Sequence, residues 1–490
     1  MVKQYKGAYS GEHGDGLVRS EWIAPFFGPR LTAALGEIKS WLDPRGLMNP
    51  GKIVAPSKMD DRSLFRFKPG YATRVPAPAA LDWSEWGGFD KAVEMCNNNG
   101  HCRKFDAGTM CPSYRATLDE QHLTRGRANT LRLALSGQLG PDSDAMVKEA
   151  LDLCVSCKGC KRECPTGIDM ARMKIEFAVH HRRSHALSLR ERMIAYLPHY
   201  APAAAAVAPL ANMATRAFGR FLGFSARRAL PAWRRDRFVD RSWAKSGERE
   251  VVLLVDTFNR YFEPENTRAA IRVLQAAGYR VHAAHPIEGG RPLCCGRTFL
   301  SAGLVEEARA EARRLLDALA PWLAHGVPVI GLEPSCLLML RDEYGVLLPG
   351  TEQLARSALL FEEFLAREAA ENRLRLKLGP LAGEALLHGH CHQKAFGVMG
   401  DVEKVLGLVP GLKVKTVESS CCGMAGSFGY EAEHYDVSMK MGEASLLPAV
   451  REAAADALIV ADGTSCRHQI GHGAQRSALH VARVLEQALA

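Results

Sequence analysis

Apolar and polar positions along the 490 residues fall into zones of different period. Near Leu31 to Trp41 the apolar spacing predicts an amphipathic helix, and the Pro/Gly-punctuated segment from Asp43-Pro44 to Asn49-Pro50-Gly51 follows it. From about 85 to 180 the period is again helical, with Leu131, Leu133 and Leu135 set among arginines. Residues 181–245 mix basic helix with an Ala/Pro-rich run after His199, poor material for a core, and read as a connector. Beyond 250 the pattern changes. Short β-rich runs at 251–255, 327–332, 385–388 and 458–461 alternate with helical stretches, which predicts α/β layers.

The α/β part is written twice. VVLLVDT (251–257) aligns with ALLHGHC (385–391), Cys294-Cys295-Gly296 with Cys421-Cys422-Gly423, and Glu333-Pro334-Ser335-Cys336 with Gly463-Thr464-Ser465-Cys466. The expected organisation is therefore multidomain, α+β and α/β: residues 1–70, a helical unit at 85–180, a basic helical connector at 181–245, and repeats at 250–375 and 376–490. Residues 1–70 look like the end of a domain, because too little apolar sequence precedes Gly11 to form a core. The rest of that domain is expected in another chain or an upstream segment.

Composition narrows the function. No apolar run approaches the ~18 residues of a membrane span, and the N-terminus has no secretory signal, so a cytoplasmic, reducing location is expected. There, 14 cysteines in tight spacings read as metal ligands or redox groups rather than disulfides. The net charge of +9 gathers at Arg182, Arg183, Arg190 and Arg192 and at Arg227, Arg228, Arg234 and Arg235. These clusters suit a solvated helical surface, or peripheral contact with the inner membrane face or an acidic partner. No nucleic-acid-binding motif accompanies the charge.

Cys154, Cys157, Cys160 and Cys164-Pro165 form C-x2-C-x2-C-x3-C-P, in which three thiolates hold one iron–sulfur cube and the fourth reaches a second cluster. Cys111-Pro112 supplies the crossed-over fourth ligand, giving a [4Fe-4S] set of Cys111, Cys154, Cys157 and Cys160. Cys96, Cys102 and Cys164 remain for a second site, which has Asn99 where a further cysteine is expected. That site suits a three-iron cluster, a cubane with a non-cysteine ligand, or nothing. In the second repeat Cys391, Cys421, Cys422 and Cys466 form a further candidate site, for an unusual cluster, a redox thiol pair or a metal such as zinc. His388, His390 and His392 stand beside it as outer donors. The first repeat offers only Cys294, Cys295 and Cys336, with Thr257 in place of Cys391, and favours packing.

Gly11-Glu12-His13-Gly14-Asp15-Gly16 with Asp43-Pro44 and Asn49-Pro50-Gly51-Lys52-Ile53 resembles the C-terminal end of the FAD-linked oxidases that include D-lactate and D-2-hydroxyglutarate dehydrogenases. The cysteine region resembles the ferredoxin-like iron–sulfur subunit of glycolate oxidase, and the vicinal cysteines resemble the CCG repeats of heterodisulfide reductases. The resemblance implies that Glu12 binds a divalent metal and that His13 is the catalytic base on the substrate hydroxyl. It implies FAD held mainly by a flavin-binding domain or chain outside these 490 residues.

The expected function is the electron-transfer part of an FAD-dependent D-2-hydroxyacid dehydrogenase of the cytochrome-linked D-lactate dehydrogenase type. Such an enzyme oxidises D-lactate, D-2-hydroxyglutarate or glycolate to the 2-oxoacid and delivers electrons to a quinone or cytochrome. The alternative is a non-catalytic iron–sulfur subunit that serves a separate flavin chain.

Overall fold

A computed structural model describes residues 1–75, 78–106, 108–240, 249–287 and 289–490. The last five residues of the expected 181–245 connector lie outside these. The chain divides into two compact units, Met1–Ala72 and Thr73–Ala490.

In the first unit, helices Gly16–Ser20 and Ile23–Phe27 precede a longer one, Pro29–Leu42, that Pro29 opens from its first position. Tyr9 packs on Phe26 at 4.9 Å between ring centroids. Asp43 orders the Pro/Gly segment by accepting from the Leu47 and Met48 amides at 2.9 and 2.8 Å. Lys39, bound to the same carboxylate, leads in holding its pKa down to about 2.

The second unit begins with helices, among them Phe89–Glu94, Pro112–Thr117, Thr124–Leu135, Ser143–Asp152, Gly159–Glu163 and Met170–Arg182. Three more, Leu189–Ala195, Leu197–Ala206 and Ala208–Phe218, lead to two four-stranded parallel sheets. The first consists of β1 (Arg249–Leu254), β2 (Tyr279–Ala283), β3 (Val329–Gly331) and β4 (Ala358–Leu360), in the order β2-β1-β3-β4. The second consists of β5 (Gly383–Leu387), β6 (Leu412–Thr416), β7 (Leu458–Val460) and β8 (Ala478–Leu479), in the order β6-β5-β7-β8. The registers correspond: Leu253 faces Ile330 as Leu387 faces Val460. The duplication seen in sequence is thus a duplication of topology.

Parallel strands need crossover helices, which bury the sheet on both faces. Residues 251–254 are accordingly all buried despite running consecutively. Helix Pro264–Ala276 turns Ala269, Ala270, Val273 and Leu274 inward and meets Val481, Val484 and Leu485 of helix Val481–Gln487. One apolar core therefore spans both repeats. Among the described residues no helix is long and apolar enough to cross a membrane.

Candidate functional site

The site is built from loops at helix starts and at the C-terminal ends of parallel strands, the usual place for ligands in such sheets. Cys154, Cys157 and Cys160 lie on a tight loop that enters helix Gly159–Glu163. Ser156 and Lys158, the residues immediately before Cys157 and two before Cys160, take left-handed backbone angles (φ 49° and 59°), which wind the loop. Lys158 is buried and bound to Asp342 and, at 2.6 Å, to Glu343, pinning the loop to the first repeat.

Cys111 precedes helix Pro112–Thr117 and arrives from a distant part of the chain. Glu163 brings it in: its carboxylate accepts from the Thr109 amide at 2.7 Å and the Met110 amide at 3.3 Å. The approach is close enough that a Cβ on Gly159 would sit 3.0 Å from the Met110 nitrogen. The four thiols act on one another. Burial first, then the charges of Cys111, Asp169 and Cys154, pushes Cys160 well above its ordinary pKa, and burial followed by Cys391, Cys160 and Cys111 does the same to Cys157. Burial also raises Cys111, with Cys154 adding to it.

Four thiols from two chain segments, Cys111, Cys157 and Cys160 buried and Cys154 half-buried, are free of disulfides and form a soft donor set that fits iron–sulfur ligation. Among the described residues their sulfurs do not all fall within 4.8 Å of one another, as ligands of one ion would. A cube several ångströms across holds its thiolates farther apart than that. Asp342, Lys158, Glu163 and Gly159 were not singled out from the sequence; the charged and glycine positions beside the cysteines were the available signal.

The second trio is placed differently. Burial, with Cys111 and Cys96 adding, pushes the Cys102 thiol up to about 11, so Cys96, Cys102 and Cys111 are neighbours. Cys164 Sγ lies 3.3 Å from Thr166 Oγ1. Asn99 is exposed and turned onto its own loop, accepting from the His101 amide at 2.8 Å and donating to Asn97 at 2.6 Å.

In the second repeat the chain leaves β5 through His388 and His390 into helix Cys391–Phe396, where His390 caps the helix by accepting from the His392 amide at 3.1 Å. Cys466 sits in helix Thr464–Ala474 after β7. Cys421 and Cys422 lie on the loop after β6, where Gly423 (φ 87°) has no room for a side chain: a Cβ would meet the Ser438 carbonyl oxygen at 2.2 Å. The four thiols form a connected row. A hydrogen bond from Cys421 holds Cys391 down to about 6 against burial, and those from Cys421 and Cys466 hold Cys422 well below its usual range. His388, Cys422 and Cys466 bring one donor atom each within 4.8 Å of the others. Burial pushes His388 down to about 4, leaving a neutral imidazole.

Cys294, Cys295 and Cys336 are also buried and share hydrogen bonds through Cys295. Leu254 and Thr257 occupy the positions of His388 and Cys391, so this site lacks an imidazole and a thiol that its partner has.

The two cysteine centres abut. Cys391 is the strongest charge acting on Cys157; His392 Nε2 lies 3.1 Å from the Ser156 carbonyl; and the Ser420 hydroxyl donates to the Thr109 carbonyl. Glu12 and His13, by contrast, are exposed on the first unit, 3.8 Å apart and enclosed by nothing there. The arginine clusters are not all solvated: Arg228 is buried in the second repeat, donating to the Gly429 carbonyl at 2.8 Å and Ser438 Oγ at 3.2 Å.

Three family descriptions match the chain: the C-terminal domain of FAD linked oxidases over residues 1–53, a 4Fe-4S dicluster domain over 92–168, and a cysteine-rich CCG domain over 385–471. A D-2-hydroxyglutarate dehydrogenase of Pseudomonas putida is 29% identical over 99% of this chain and 52% of its own length. The Escherichia coli protein of that name is 26% identical over 96% and 50%. The glycolate oxidase iron-sulfur subunit of Escherichia coli is 27% identical over 82% of this chain and 95% of its own length. The chain thus spans about half the length of the dehydrogenases it matches. It joins, in order, the C-terminal domain of the FAD linked oxidases, a 4Fe-4S dicluster domain and a cysteine-rich CCG domain.

Proposed function

We propose that this chain is the electron-transfer part of an FAD-dependent D-2-hydroxyacid dehydrogenase, divided at 85–180, 181–245, 250–375 and 376–490 into iron–sulfur, connector and two CCG-type parts. D-lactate, D-2-hydroxyglutarate or glycolate becomes the 2-oxoacid at the flavin, and the electrons leave for a quinone or cytochrome. The observation that carries this reading is the junction of the two cysteine centres, where His392 Nε2 lies 3.1 Å from the Ser156 carbonyl of the iron–sulfur loop and the Ser420 hydroxyl donates to the Thr109 carbonyl. A [4Fe-4S] cluster bound by Cys111, Cys154, Cys157 and Cys160 supplies one-electron transfer. The protein's part is to exclude water with buried Cys111, Cys157 and Cys160, and to place Lys174 Nζ 2.7 Å from the Cys154 carbonyl, where its charge favours the reduced state. Glu12 and His13 take the metal and proton roles in a site completed by the flavin-binding domain or chain.

The exposure of Glu12 and His13 favours, as a second reading, a subunit that does no chemistry alone. Anaerobic chain mixed with a flavin-binding partner and given a D-2-hydroxyacid separates the two. Cluster reduction, followed by paramagnetic resonance, that disappears in His13→Ala supports the catalytic pair. Reduction that survives His13→Ala supports the subunit reading. Purified chain containing zinc and no acid-labile sulfide sinks both.

Peripheral membrane contact has its own support. Helix Ala208–Phe218 and the turn after it leave Leu210, Met213, Phe218 and Phe221 exposed, Phe221 at 86%. Arg216 and Arg220 flank them, and no Asp or Glu occurs between Arg192 and Arg235. An apolar stripe in an acid-free basic stretch suits the surface of an anionic bilayer. The chain is expected to sediment with vesicles containing anionic lipid and to lose that binding in Phe218→Ser/Phe221→Ser. Equal sedimentation of the double variant excludes this face.

A further inference from the structure

The imidazole of His388 is in an unusual state for a buried histidine. It is 1% exposed, and its Nδ1 lies 2.9 Å from Ser419 Oγ. That hydroxyl already receives Lys394 Nζ at 3.1 Å and points towards the Val417 carbonyl at 3.5 Å. With its own hydrogen directed to Val417, Ser419 Oγ accepts from His388, which places the ring proton on Nδ1. The Nε2 lone pair is then free, and that nitrogen is buried without a hydrogen-bond partner. It faces two sulfurs, Cys422 and Cys466, with all three donor atoms within 4.8 Å of one another.

We propose that His388 Nε2 is a direct ligand of a thiophilic metal centre in the second repeat, shared with Cys422 and Cys466 and completed from Cys391 or Cys421. The centre is zinc or the iron of a cluster; in both the donor set is imidazole plus thiolate. Tetrahedral donors with bonds of ~2.0–2.3 Å lie roughly 3.5–4 Å from one another, and the three donor atoms here are all within 4.8 Å. Ser419 and Lys394 do for the imidazole what outer partners do in metal sites: they fix tautomer and ring orientation. The duplication sharpens the assignment, because Leu254 replaces the histidine in the first repeat and Thr257 replaces Cys391. The imidazole and the extra thiol are lost together, as members of one ligand set would be. An all-thiolate site would have no use for a buried, unpaired nitrogen, which is costly wherever it is not satisfied.

The proposal rests on the second repeat holding a metal, and its test keeps the two ideas apart. Full-length chain is loaded anaerobically with iron and sulfide or, separately, with cobalt(II) as a spectroscopic stand-in for zinc. Pulsed electron paramagnetic resonance reads imidazole nitrogen coupling in the first case, and the cobalt absorption bands read the donor set in the second. The expected result is a nitrogen-containing centre that His388→Cys converts to an all-thiolate spectrum at unchanged metal content. His388→Asn, which can keep the Ser419 contact, should weaken binding at least about tenfold. Unchanged spectra and affinity in both variants, with metal lost in Cys422→Ser and Cys466→Ser, overturn the histidine ligand and leave the thiol centre standing. Unchanged metal in the cysteine variants overturns the centre itself. Circular dichroism of each variant confirms that the fold is retained.

Discussion

Cys160→Ser is expected to remove about four iron atoms per chain with matching sulfide, and to abolish the paramagnetic signal seen on reduction. Cys160 is buried at the start of a short helix whose Glu163 holds the Thr109 and Met110 amides, so it occupies the point where the two contributing chain segments are tied. A serine hydroxyl is a poor, hard donor for iron in a sulfide cube, and no spare thiol is available on that helix. Gly159→Val extends the test without touching a ligand. Its side chain has to displace the Met110 backbone, 3.0 Å from the position of a Cβ, and so moves Cys111 away from the other three. Iron content of both variants, measured anaerobically, checks the prediction. Full iron in Cys160→Ser would show that the four cysteines do not form one site, and full iron in Gly159→Val would show that Cys111 is not the fourth ligand.

The spacing of cysteines was readable because iron–sulfur ligation is local: C-x2-C-x2-C is a single turn of loop, and any chain that carries it brings three sulfurs to one side. The repeated α/β pattern was readable for a related reason. Buried parallel strands are continuous apolar runs, and 251–255 and 458–461 stand out against their helical surroundings. Strands β2, β4, β6 and β8 did not stand out. Leu412–Thr416 alternates Lys413 and Lys415 with apolar residues at a sheet edge, Ala358–Leu360 and Ala478–Leu479 are too short to have a period, and β2 carries Arg280 and His282. Edge strands carry the weakest sequence signal because one side of them meets solvent.

What sequence could not supply was convergence. Nothing in the chain order says that Cys391 lies beside Cys157, or that His392 reaches the Ser156 carbonyl, because both contacts cross more than two hundred residues. The same holds for Arg228. In sequence it is one of a basic pair, indistinguishable from its solvated neighbour Arg227; in the fold it is buried against Met424, Gly429 and Ser438, and only Arg227 stays outside, bound to Asp436. The histidines at the end of β5 were legible as neighbours of the thiols, yet their division of labour was not. His390 caps a helix, His392 bridges to the iron–sulfur loop, and His388 holds a buried nitrogen without a hydrogen-bond partner.

Glu263→Ala should cost about 3–5 kcal/mol of stability, more than most surface substitutions in this chain, because it strands a buried charge. Glu263 stands just before helix Pro264–Ala276 of the first repeat, its side chain making no capping bond to it, and Arg467 follows Cys466 in the second. The pair is bidentate, with Arg467 Nε 2.8 Å and Nη2 2.5 Å from the two carboxylate oxygens, and Thr464 Oγ1 adds a third bond at 2.8 Å. Burial alone would raise the Glu263 pKa, but Arg467 outweighs it and holds it down to about 2, while Arg467 is itself shifted up. The pairing therefore contributes fully above the ordinary glutamate range and is lost only as pH falls towards 2. Removing the carboxylate leaves Arg467 with the Ala461 and Asp462 carbonyls at 2.8 and 2.7 Å, which satisfy hydrogen bonds but not charge. If the loss comes from the uncompensated cation, Glu263→Gln/Arg467→Met should recover most of what Glu263→Ala loses, since removing both charges avoids the penalty of leaving one. Urea denaturation of the single and double variants measures this, and a double variant no more stable than Glu263→Ala would show that the stranded charge of Arg467 is not the source of the loss. Because Arg467 adjoins Cys466 and Glu333 of the first repeat accepts the Thr464 amide at 2.9 Å, the same junction sets how the thiol centre of one repeat is held by the other.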